Sequence, residues 1–190
     1  MRADAPDPIL TLEPLIEAVR EGVTGEGWEL SGLQKTTSHQ FEGRWDGDST
    51  RSAYLFFHAD DAPEHVSIDV YLDETSRGLA GNLALVVDLL PFGDLGDTRR
   101  VLASLGEASA RELDRRHKRP VTLRLRLSDA AEAVDGADSE VRFKIRIPRK
   151  TLEAGHHAVA DFSREAVRGF TRLLDADELR RLLPPEHGGS

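Results

Sequence analysis

The sequence predicts an α+β fold: a single antiparallel sheet of about 6–7 strands, a β-meander plus a C-terminal hairpin, with helices packed on one face. Three observations carry this. Apolar residues recur at helical spacing near both ends of the chain. They alternate with a period of two from Trp28 to Leu90, and again over 121–147. The strand runs of the first half are joined by short polar turns, which leave no room for crossover helices.

The elements follow in order. Leu12, Leu15, Ile16, Val19 and Val23 form one helical stripe, so a helix is expected over about 11–22, with Thr11 as its cap and Gly22 as its stop. About five short strands come next. The runs WELSGL and Thr37–Trp45 lead to an Asp46-Gly47 hairpin turn, and RSAYLFFH is apolar on both faces, as a central strand requires. In HVSIDVYLD, Val66, Ile68, Val70 and Leu72 alternate with polar residues, and NLALVVDLL is apolar throughout. A second helix is expected over about 98–118, started by Asp97 and ended by Pro120. Two regular strands then place Val121, Leu123, Leu125 and Leu127, and Val141, Phe143, Ile145 and Ile147, on an inward face. A stripe from Leu152 to Leu173 gives a helix over about 152–174, and a D-x-x-E box from Asp175 opens a short one over about 176–183. No linker divides the chain, so residues 1–190 are read as one domain with frayed ends at about 1–8 and 185–190.

Composition narrows the function classes. The 190 residues carry a formal charge of −9, are 39% apolar and contain no cysteine. Disulfides, thiolate metal sites and cysteine nucleophiles are therefore excluded, and a cytoplasmic setting is expected. No apolar run is long enough for a membrane span, so no membrane role is expected. The charge is segregated: residues 1–98 carry −13, residues 99–150 carry +6 and residues 151–190 carry −2, which together give the total. The acidic balance argues against nucleic-acid binding by overall charge.

The candidate sites begin with the basic hairpin. Arg124, Arg126, Arg142, Lys144 and Arg146 project from the outer face of two strands, within 121–147, with Arg149 and Lys150 just beyond, and guanidinium groups in a row bind phosphates or carboxylates bidentately. The competing reading pairs them across strands with Glu29, Glu42 or Asp69. No outward aromatics interleave for base stacking. A second candidate is a ligand pocket of helix-grip type between the sheet and the last helix, lined by Trp28, Phe41, Trp45 and Phe170. The cluster His58, Asp60, Asp61, His65 and Asp69 matches no metal spacing, and His157 with Asp161 makes only half a site, so no metal and no cofactor are expected. No phosphate-binding glycine loop, nucleophile elbow or zinc-protease motif is present, so no catalytic residues are assigned and an enzyme is disfavoured.

Asp73-Glu-Thr-Ser-Arg-Gly78 resembles the D-x-S-x-x-G of cyclic-di-GMP-binding PilZ domains only in part. Thr75 stands where those have serine, and no R-x-x-x-R segment precedes it in residues 1–72, so the match assigns no ligand. The element order is similar to that of small α/β domains of the secretion-chaperone type. That likeness implies a non-enzymatic, chaperone-like adaptor acting through a protein partner, in the form of a possible homodimer. The alternatives are the helix-grip small-molecule carrier and an anion or nucleic-acid binder using the basic hairpin.

Overall fold

The computed structural model describes residues 11–37, 51–75, 77–88, 103, 122–124 and 140–175. Helix α1 (Leu12–Thr24) buries all five residues of its predicted stripe. Two expectations about its ends are corrected. Thr11 occupies the N-cap position in an extended conformation, but its hydroxyl makes no capping bond. Nor does the helix stop at Gly22. That residue is a packing position instead: a Cβ there would collide with the Ala160 carbonyl oxygen and stand 2.7 Å from Ser163 Cβ on the last helix. The chain leaves α1 through Gly25 and Gly27, the latter at φ +85°.

The sheet comprises β1 (Glu29–Thr37), β2 (Arg51–His58), β3 (Val66–Thr75), β4 (Gly78–Asp88), β5 (Thr122–Arg124) and β6 (Glu140–Arg146). Their order is β1-β2-β3-β4-β6-β5, and every pairing is antiparallel. Of the run Thr37–Trp45 only Thr37 lies within the described residues, as the last residue of strand β1. The strand continues from Glu29 to Thr37, across an irregularity between Leu30 and Gly32 that shifts the register. The second strand of the C-terminal hairpin, β6, pairs with β4, and β5 lies outside it. Register places Ile68 opposite Leu85 and Val70 opposite Leu83 on the buried face, with Ser67 opposite Val86 and Asp69 opposite Ala84 on the other.

The helix expected over 152–174 is broken. Helix α2 (Arg149–Glu153) ends at Ala154, and Gly155 turns the chain at φ +95° into α3 (His156–Leu174). A Pro148 carbonyl that accepts from Thr151 and Leu152 starts α2 directly after the sheet. The buried stripes of α1 and α3 join the inward residues of β2, β3, β4 and β6 in one hydrophobic cluster.

Ion pairs tie the two long helices together. Glu21 meets His156 at 2.8 Å, and Glu26 meets Arg168 at 3.0 Å. Contact with His156 holds the Glu21 carboxyl below its ordinary pKa. Arg51 joins α1 to the sheet, with Nη1 2.9 Å from Glu13 and Nη2 2.5 Å from Glu74. No helix among the described residues is long and apolar enough to cross a membrane. The Asp46-Gly47 turn, the helix at 98–118 apart from residue 103, and the helix at 176–183 lie outside the described residues.

Candidate functional site: a cationic cleft at one end of the sheet

The tight connection from β3 to β4 shapes one wall of a cleft. Thr75 pairs with Gly78, whose φ of +111° suits glycine, and nothing stands within 4 Å of where its Cβ would be. The Thr75 hydroxyl donates to the Gly78 carbonyl at 3.2 Å and accepts the Arg77 N–H at 3.1 Å. The turn is thereby closed on itself, with Arg77 at its tip.

The opposite wall is the exit from β6. Ile147 donates its N–H to the Gly81 carbonyl at 2.9 Å and continues the β4–β6 ladder by one residue. A Cβ on Gly81 would lie 2.7 Å from Leu72 and 3.0 Å from Ile147, so glycine lets these side chains close over the strand. Pro148 then redirects the chain into α2, where Arg149 donates from Nε to Glu153 at 2.7 Å.

Between these walls lies a cleft of about 470 Å³. Thr75, Arg77, Gly78, Leu79 and Ala80 line one side, and Arg146, Ile147, Arg149, Leu152 and Glu153 line the other. Ile147 and Leu152 are buried, at 1% and 6% exposure, and form an apolar floor. Among the described residues, no ion pair engages Arg77 or Arg146. A volume of this size lies within the range of small-ligand pockets.

The basic hairpin divides along its length. Arg142 is engaged internally: Nη2 lies 3.0 Å from Asp69 on β3, and Nε lies 2.6 Å from Glu140. Burial pushes the Asp69 carboxyl above its ordinary pKa, against the pull of Arg142 and a hydrogen bond from Ser67. Lys144 and Arg146 are exposed. Arg124 pairs in register with Glu140 on the neighbouring strand, and Arg126 lies outside the described residues. Of Arg142, Lys144 and Arg146, only Arg146 lines the cleft.

The other candidates are dispersed. Trp28 and Phe170 are buried, at 4% and 0% exposure, in the same hydrophobic cluster, while Phe41 and Trp45 lie outside the described residues. No group of histidines and carboxylates able to hold a metal occurs among the described residues. His156 is engaged with Glu21, and Asp161 with Arg164 at 2.5 Å. Asp73 of the D-E-T-S-R-G run accepts from the buried Ser52 hydroxyl at 2.8 Å.

The sequence set Arg149 just beyond the basic hairpin and Arg77 within the D-E-T-S-R-G run, without assigning Arg77 to a site. Comparison with protein-family models, curated proteins and solved structures finds no match to this chain.

Proposed function

We propose that this protein is a non-enzymatic binding module, an adaptor that takes an acidic segment of a protein partner in the cleft between the β3–β4 turn and α2. The observation that carries the reading is the convergence of Arg77, Arg146 and Arg149 on one cleft with an apolar floor. Guanidinium forks grip carboxylates bidentately, and an apolar base takes the aliphatic part of the same segment. Exposed Lys144 extends the cationic surface along β6. Among the described residues, Glu153 is the only ionisable lining group other than the arginines, and it is tied to Arg149, which favours binding over acid–base chemistry there.

The same reading takes residues 1–190 as one domain, with a sheet of six or seven strands and its helices on one face. The lack of cysteine supports a cytoplasmic setting.

The test is fluorescence anisotropy with a fluorescein-labelled oligoglutamate peptide. Binding is expected to strengthen as salt is lowered and to be lost in the Arg77→Glu, Arg146→Glu double variant. Affinity indifferent to both salt and the double variant would remove the cleft from this role.

A further inference from the structure

We infer that the acidic group this cleft recognises is a phosphomonoester dianion carried on a side chain of the partner, an inference that rests on the partner-binding reading above. Charge is the first argument. The lining holds three arginines and one glutamate, a surplus of two positive charges among the described residues. One carboxylate leaves half of that surplus uncompensated, whereas a phosphomonoester carries close to two negative charges at neutral pH.

Donor supply is the second. Glu153 takes the Nε of Arg149, and no hydrogen bond among the described residues takes its Nη groups. Arg77 and Arg146 bring complete guanidinium forks from two other segments of the chain. Three forks lining one cleft suit an acceptor with three equivalent oxygens better than one with two.

Shape is the third. Leu79, Ala80, Ile147 and Leu152 form the apolar part of the lining, which accommodates a hydrocarbon or aromatic stem beneath the charged head. Among the described residues the lining contains no aromatic side chain on which a nucleobase would stack. The Thr75 hydroxyl is already committed to Gly78 and Arg77, and its part is to hold the turn that carries Arg77.

The experiment is isothermal titration of the full chain with three probes: acetyl-leucyl-phosphotyrosyl-leucinamide, the same peptide with glutamate for phosphotyrosine, and phenyl phosphate alone. The phosphopeptide is expected to bind about tenfold or more tightly than the glutamate peptide. Its affinity should fall below about pH 6, where the phosphate takes up its second proton but a carboxylate remains ionised. Arg77→Ala and Arg146→Ala should each abolish that advantage while leaving the circular dichroism unchanged.

Equal affinity for the two peptides overturns the phosphate inference and leaves the acidic-partner reading standing. Phenyl phosphate binding as tightly as the phosphopeptide supports the phosphate chemistry but assigns it to a free small ligand, which overturns the protein source. Failure of all three probes overturns both readings.

Discussion

Gly22 and Asp69 show how much of this fold is decided at single side chains. Gly22 sits where α1 crosses α3, and a methyl group there has no space against Ala160 and Ser163. The Gly22→Ala variant gains up to about 1 kcal/mol in helix propensity. Overpacking is expected to outweigh that by about 1–3 kcal/mol, giving a lower urea midpoint. The sequence presented this glycine as helix punctuation, because spacing alone does not distinguish a stop from a close crossing. Asp69 was legible as a cross-strand partner for the hairpin arginines, and it does pair with Arg142. Its raised pKa means that the folded state holds the proton more tightly than the unfolded chain. The ionised carboxylate therefore costs stability as pH rises from the ordinary 3.8 through the folded value, and acidification through that window recovers it. Asp69→Asn is expected to flatten stability against pH across that window, as measured by urea unfolding at a series of pH values. A slope identical to that of the parent would show that Asp69 does not contribute it.

Among the elements, strands with a strict period of two were the most legible. In β3, Val66, Ile68, Val70 and Leu72 alternate with side chains that are more exposed, and in β6 Val141, Phe143 and Ile145 do the same. Both bury one face in the hydrophobic cluster, so burial and sequence share one period. The break between α2 and α3 was hidden because Leu152 and Val159 continue an apolar stripe across it, and both are buried. Only the conformation of Gly155 separates the two helices, at a φ that L-residues adopt with strain. Gly155→Ala is expected to lower stability by about 1–2 kcal/mol and to disturb the cleft through α2. A fall in thermal midpoint accompanied by weaker oligoglutamate binding would check both effects. Arg51 links α1, β2 and β3 from a partly exposed position, so solvent screens much of its value. Arg51→Ala is expected to lower the urea midpoint only slightly, a loss that shrinks further in high salt. A larger loss that persists in high salt would argue that the arginine stem contributes packing as well as charge.

Across the whole molecule, the segregated charge of the sequence resolves into two uses. Part of the acidic first half closes the fold on itself: Glu21 and Glu26 reach α3, and Asp69 reaches β6. Arg77 and Arg146 are left at the cleft. The outward face of β6 was readable from alternation. The cleft was not, because Arg77, Arg146 and Arg149 meet only once β6 has paired with β4, an adjacency that strand periodicity does not specify.

The crossing at Gly22 also bears on how the protein is made. Helix α1 leaves the ribosome before the described strands, yet much of its cover is α3, the last of the described elements to be translated. Until Ala160 and Ser163 emerge, Leu15 and Val19, wholly buried in the finished protein, lack part of their enclosure. The nascent chain thus carries an incompletely covered apolar helix throughout synthesis of the sheet, a state open to chaperone capture or to aggregation. Emergence of α3, rather than completion of the described strands, is the moment at which α1 gains that cover.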